Sequence, residues 1–440
     1  MKLCKAATLI ITLALIAGSY SATGAAPALA GKTYYVSTTG KDTNSGTSTS
    51  PFKTFAKGIS AMGAGDTLII LPGTYNQQLK ISKSGTSSGW ITVKGPGAVI
   101  DLRNATSPGI YITGSYVDVS GLEVENSTKY CVDLRGSHVT ASGLTVHDCQ
   151  GHGISSAGNN HVQILNNRIY RAVLSNSARA LLSGWDSGIK VRVSDDVLIQ
   201  GNTVFDNYGE GMATRGTNIT IRGNTVYDNY SVNIYTNSEN ALIEKNFVYC
   251  TPNSGFERSG KPAAGIAMGE EYYEGWGARL INARVLNNIV AHCKNGVRYN
   301  GAETGVVGGG LKYATIAYNT LYDTVEATIG IVYASAQTGN LIADNIVWQA
   351  DNRLVSASGS GLTFKYNLWK VQPPTIARGT GDKIGSPGFV VSTPKYAPGD
   401  YRIGSGSLAR GNATNLSIFE DYFNLTRTSP YDIGAAKYGG

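Results

Sequence analysis

The residues most able to do chemistry lie in "WDSGIKVRVSDD", Trp185 to Asp196, where Asp186, Lys190 and Arg192 fall within seven positions. One strand carrying a carboxylate, an amine and a guanidinium could serve proton transfer beside an anionic substrate. β-Elimination of a uronate needs those two things: a base at C5, and positive charge at the carboxylate to stabilise an enolate-like transition state. Lys190 is the first candidate base. Arg192 and Arg215 would bind the carboxylate and disfavour the charged amine. Tyr235 could protonate the leaving oxygen, and Arg298 could hold a further subsite. Glycoside hydrolysis is the alternative chemistry, with Asp186 and Glu210 on adjacent coils at a separation of roughly 5–10 Å. A non-catalytic glycan-binding surface is the third reading, because a groove with aromatic and basic residues serves binding as well as turnover.

These side chains need a scaffold, and the scaffold is repetitive. "ILNNRIY", "IQGNTVF", "IRGNTVY", "IEKNFVY", "VLNNIVA", "IAYNTLY" and "IADNIVW" carry marker residues Asn167, Asn202, Asn224, Asn246, Asn288, Asn319 and Asn345, and Asn367 continues the series. Leu122 and Leu144 hold the same slot earlier. The basic interval is 22 residues, as from 202 to 224 and from 224 to 246. Three short strands with their turns fill such an interval, which makes one coil of a solenoid with coils about 4.8 Å apart. Propeller blades would need longer repeats of four strands. The expected fold is all-β, a right-handed parallel β-helix. The asparagines should occupy its turns, where they tolerate left-handed backbone and bond coil to coil.

A second phrase fixes the register. Ile154, Ile189, Met212, Ile234, Ile266, Val297 and Ile331 should point inward, and Ser155, Lys190, Ala213, Tyr235, Ala267, Arg298 and Val332 outward. Two places on, Ala157, Arg192, Arg215, Asn237, Gly269 and Asn300 form a second outward column. The repeat is stretched near 172–184, 251–262, 270–280 and 301–310, on both margins of this strand column. Insertions gathered along one column build walls, so the charges should line the floor of a groove. Trp185, Tyr208, Tyr272, Tyr273 and Trp276 supply rings for sugar stacking. Asn237, Glu270 and Glu271 complete the candidate substrate contacts.

The chain opens with Lys2 and Lys5 ahead of an apolar run that closes on Ala-Leu-Ala at Ala30, the pattern of a cleaved secretory signal. The expected organisation is a signal over 1–30 and one β-helix over 31–440. Within it, 31–120 hold the first coils and cap, 121–370 the regular coils and 371–440 a closing segment. Cleavage lowers the formal charge from +7 to +5, a balance suited to an acidic polysaccharide. A secreted monomer follows, with neither nucleic acid nor, after cleavage, a membrane as partner. Nothing resembles a nucleotide loop, a nucleophile elbow or a metalloprotease helix. Cys131, Cys149, Cys250 and Cys293 show no C-x-x-C spacing, and disulfides and buried thiols both fit them. His147, His152, His161 and His292 read as structural, although His152 could reach substrate. Asp195 and Asp196 read as turn residues rather than calcium ligands.

Residues 33–75, from "TYYVSTTGKD" to "LPGTY", resemble the N-terminal coil segment of secreted parallel β-helix proteins, an opening shared by family nine polysaccharide lyases. "SPYDIGAAKYGG" is similar to the closing motif of the same broad group. The resemblance implies the fold over the whole chain after its signal. Family nine lyases carry an Asp-Gly-aromatic strand ending in a catalytic Lys, and one coil later an Asp-Asp-Gly run that helps bind calcium. Laid on this chain, Arg192 takes the place of the Lys, and Gly209-Glu210-Gly211 stands where the paired aspartates would be. The resemblance therefore leaves Ca2+ as an expectation without its usual ligands and puts a pectate-specific assignment in doubt. Family six lyases place a Lys and an Arg on adjacent coils of this face, and Lys190 or Arg192 with Arg215 resembles that pair.

Overall fold

The computed structural model describes residues 31–103, 108–272, 280–331, 337–349, 353 and 355–439. They form a solenoid whose strands join one continuous sheet of 33, every pairing between named strands being parallel. The single α-helix among the described residues, Phe55–Ala61, starts at Thr54, whose hydroxyl accepts the Lys57 N–H. It buries Phe55, Gly58 and Ile59. A Cβ at Gly58 would stand 2.9 Å from Leu68, so only glycine lets the helix seat this closely on the first coils.

Alternation turns every second side chain inward. Ile154, Ile189, Met212, Ile234, Ile266 and Val297 stack in one continuous register, all fully buried. The next position in that stack is Ile329, not Ile331: Val297 pairs with Ile329, and Ile331 sits opposite Tyr299. Ile329 and Ile331 flank Gly330 and both point inward, so the sequence offers two frames two residues apart. The ten-residue step from Asn319 to Ile329, the same as from Asn202 to Met212 and from Asn224 to Ile234, fits the earlier one. Gly330 follows Arg298 in the outward column, and Val332 lies outside the described residues.

The asparagine ladder is unbroken from Asn167 to Asn367. Each side-chain carbonyl accepts the backbone N–H and the amide of the asparagine one coil before it, at 2.9–3.0 Å. Each amide also donates to a carbonyl at the turn of the preceding coil, as Asn224 does to Ile199. The Asp382 carboxylate ends the ladder by accepting the Asn367 N–H. The left-handed residue, however, is the one before each marker: Asn166, Gly201, Gly223, Lys245, Asn287, Tyr318, Asp344 and Tyr366. The ladder asparagines serve through their amides, and the conformational demand falls on their neighbours.

Both disulfide pairs form, Cys131 with Cys149 and Cys250 with Cys293. No described helix is long and apolar enough to cross a membrane. The proposed signal, 1–30, lies outside the described residues.

Candidate functional site

Strands Ile154–Ala157, Ser187–Gln200, Glu210–Arg222, Val232–Glu239, Ala264–Glu270 and Val297–Ala302 run side by side beneath the stretched loops. Their registers place Ser155, Lys190, Ala213, Tyr235, Ala267 and Arg298 in one outward column. In the second column Ala157, Arg192, Arg215 and Asn237 follow one another. The insertions rise on both sides. Arg179 donates to the carbonyls of Ser254 and Gly255, the Tyr230 hydroxyl to those of Arg179 and Leu181, and Arg258 to that of Leu182. Two loops far apart in sequence are thus laced into one wall.

Between the walls run two clefts of about 800 Å³ and 380 Å³ that share Trp185, Glu210, Glu271 and Glu303. The larger is lined by Arg135, His152, Asp186, Lys190, Arg192 and Arg215. The smaller holds Tyr235, Arg258, Glu270, Lys294, Arg298 and Asn300.

Glu210 occupies the junction. Its carboxylate lies 3.9 Å from Lys190 Nζ and accepts the Ser187 hydroxyl at 3.1 Å, with a further hydrogen bond from Trp185. Burial raises its pKa, and Lys190 works against that shift. Lys190 is therefore not in a purely cationic setting: a buried acid one coil away lies within ion-pair distance. Asp186 is pushed up by burial, with Lys190 and Arg192 opposing. Its Oδ1 lies 3.1 Å from His152 Nε2, while His152 Nδ1 accepts the Ser187 N–H at 3.0 Å. That acceptor role leaves the ring proton on Nε2, facing Asp186. Burial, then the Lys190 and Arg192 charges, lower the His152 pKa to about 3. A neutral imidazole thus orients Asp186 at the cleft floor.

Arg192 is exposed in the cleft, whereas Arg215 is 5% exposed and donates to Glu271 at 3.1 Å. Tyr235 stands two coils from Lys190 in a small apolar cluster with Ala213, Val232, Ala264 and Ala267. Trp185 lies edge-on to Tyr230 and carries the Arg258 guanidinium 4.6 Å over its ring. Arg298 lines the smaller cleft and donates to Asn295.

Other expected contacts are placed differently. Tyr208 packs on Phe256, 5.1 Å between ring centres, under its own wall, and lines neither cleft. Asn237 is 1% exposed, and its amide finds no hydrogen-bond partner among the described residues. Glu270 touches the smaller cleft but spends its carboxylate on Gly310 N–H, Tyr299 hydroxyl and Leu280 N–H. Tyr272 is half exposed beside Gly305, and its N–H donates to Glu303. Tyr273 and Trp276 lie outside the described residues.

Sequence reasoning missed Arg135, Arg258, Lys294 and Glu303. Arg135 follows "VDL", whose Val132 stacks on Ile154, so extending the register one coil earlier would have found it. Arg258 sits in an insertion, where periodicity carries no signal.

The residues present do not match the calcium ligands that the resemblance implies. Glu210 replaces the aspartate pair and is committed to Ser187 and Lys190. Asp195 and Asp196 lie not in a turn but within the strand Ser187–Gln200, where Asp196 takes a left-handed backbone, Asp195 accepting the Thr217 N–H and Asp196 the Asn218 amide. Although Glu210, Glu271 and Glu303 all line the clefts, among the described residues no three of their carboxylates come within 4.8 Å of one another.

Residues 34–180 match the family model "Pel9A-like, right handed beta helix region", and residues 108–267 match "Right handed beta helix region". An uncharacterized protein of Bacillus subtilis (strain 168), YwoF, is 33% identical over 108 residues, 24% of this chain and 21% of that protein. The match thus spans about a fifth of that relative. The crystal structure of pectate lyase Pel9A superposes with a TM-score of 0.54 at 17% identity, covering 92% of this chain and 96% of that one. A complex of XylC with xylose gives 0.54 at 12% identity, over 92% and 98%. PfbA, a surface adhesin of Streptococcus pneumoniae, gives 0.50 at 15%, over 70% and 86%. The resemblance to lyase-type β-helices holds, and at these identities it speaks to fold.

Proposed function

We propose that this protein cleaves a uronate-containing polysaccharide by β-elimination, with the larger cleft as its active site. One observation carries the reading: Lys190, Arg192, Arg215 and Glu210 converge on the floor of a walled groove, from two adjacent coils. A uronate seated there would set its carboxylate against Arg192 and Arg215, which bind anions through charge-assisted hydrogen bonds. Lys190 Nζ would take the C5 proton. The C5–H electron pair becomes the C4–C5 double bond, the C4–O bond breaks, and the leaving oxygen takes a proton. Glu210 is the donor nearest Lys190, and its burial favours the protonated form that donates. Tyr235, two coils along, is the second candidate donor. No step passes through a metal.

The test is incubation with a panel of acidic and neutral polysaccharides, followed by the ultraviolet absorbance of an unsaturated uronate. Absorbance growing with wild type and absent with Lys190→Ala supports the reading. Full activity in both Lys190→Ala and Arg192→Ala would sink it.

A glycoside hydrolase is the second reading, favoured by buried Glu210 and half-buried Asp186, two carboxyls whose pKa values desolvation raises. New reducing ends without unsaturation, lost in Asp186→Asn or Glu210→Gln, would establish it. Binding without turnover in every case would leave a glycan-binding surface. Secretion as a monomer is proposed with either chemistry, mature protein beginning near Gly31.

A further inference from the structure

A second constellation lies on another face of the solenoid. Glu123 and Glu125 alternate on the strand Val117–Glu125, so both side chains leave the same face while Val124 points inward. One coil later, 22 residues on, His147 pairs directly with Glu125, and Thr145 with Glu123. The backbone alone thus sets one imidazole beside two carboxylates. Their ligand atoms lie within 4.8 Å of one another, His147 Nε2 being 2.9 Å from Glu123 and 3.8 Å from Glu125.

The ring itself points to a ligand. His147 is 6% exposed and stacked on Tyr170 at 4.8 Å and 15°. Its Nδ1 lies 2.7 Å from Asp148 Oδ2, and Asp148 is gripped at both oxygens by Arg171. With Nδ1 facing Asp148, Nε2 makes a 2.9 Å hydrogen bond to the Glu123 carboxylate, the contact that an ion seated between them would replace. Carboxylate–histidine–metal relays are built this way: the outer carboxylate fixes the tautomer and aims the second nitrogen at the ion.

We infer that Glu123, Glu125 and His147 form a binding site for a borderline divalent transition ion of the zinc class. An imidazole ligand disfavours calcium and magnesium, which take oxygen. Bonds of about 2.0–2.2 Å hold ligand atoms roughly 3.5 Å apart, so Glu123 must draw back from the imidazole by about 0.6 Å and Glu125 approach it by about 0.3 Å. The side chains of Glu123 and Glu125, 42% and 21% exposed, have the freedom to do so. The ion would clamp two successive coils beside the Cys131–Cys149 disulfide, whose sulfurs both approach the His147 carbonyl at 3.5 Å.

The experiment is zinc titration of the chelator-stripped protein by calorimetry, with metal analysis after dialysis and thermal melts with and without ZnCl2. One zinc per chain is expected, raising Tm by mass action, and unaffected by excess CaCl2. Glu123→Gln with Glu125→Gln should weaken binding at least tenfold. Asp148→Asn should cost about tenfold while leaving the ligands intact. Both glutamates are solvent-facing, so these variants remain informative even if His147→Gln fails to fold. Absence of stoichiometric zinc uptake by wild type, undiminished affinity in the double glutamine variant, or displacement of zinc by calcium would each overturn the site.

Discussion

The residues that would do the chemistry were legible because a strand's alternation is rigid: once Ile189 is placed inward, Lys190 must face out, and the column follows. What sequence could not show is the company each residue keeps. Lys190 and Glu210 stand 3.9 Å apart because a coil step separates them, and nothing in the local strand announces that neighbour. If Lys190 is the base, Lys190→Ala should lower kcat by on the order of 10³ with substrate affinity largely kept, read by steady-state kinetics and calorimetry. Arg215→Ala should weaken both, by about tenfold or more, since a carboxylate partner acts in ground and transition states alike. His152 gives a pH prediction. Its folded pKa, about 3, lies below the ordinary 6.5, so between those values the unfolded chain binds the extra proton. Its contribution is fully present above about pH 6.5 and is lost as pH falls toward about 3. Tm should therefore drop more steeply over that window in wild type than in His152→Gln.

At the scale of the coil, the asparagine phrase was the strongest signal in the chain, and its meaning was half right. The amides do bond coil to coil, but the left-handed backbone belongs to the preceding residue, so asparagine is retained for hydrogen bonding. Asn224 shows what that is worth: its side chain accepts from Asn202, donates to Asn246 and donates to the Ile199 carbonyl. Asn224→Ala would orphan the buried Asn202 N–H and Ile199 carbonyl of the preceding coil and should cost on the order of 3 kcal/mol, measured by denaturant unfolding. Asn224→Asp keeps the acceptor and loses both donors, and should be comparably harmful near neutral pH. The slip from Ile329 to Ile331 has the same origin as the success: two inward isoleucines flank a glycine, and period-two alternation cannot choose between them.

Across the whole molecule, the groove was readable from where the repeat lengthens, whereas its detailed walls were not. Insertions carry no periodicity, so the lacing of 172–184 to 251–262 through Arg179, Tyr230 and Arg258 emerged only in three dimensions. Arg258→Ala removes both the Leu182 contact and the cation over Trp185. It should raise KM for a long substrate several-fold with kcat less affected, a split that loss of the chemical groups would not produce. The most direct test of the elimination reading is cleavage in heavy-oxygen water with mass spectrometry of the products. Elimination leaves an unsaturated uronate and takes no oxygen from solvent. Products free of the heavy label and absorbing in the ultraviolet are the expected result. Label at the new reducing end, with saturated sugars on both fragments, would contradict elimination and assign the cleft to hydrolysis.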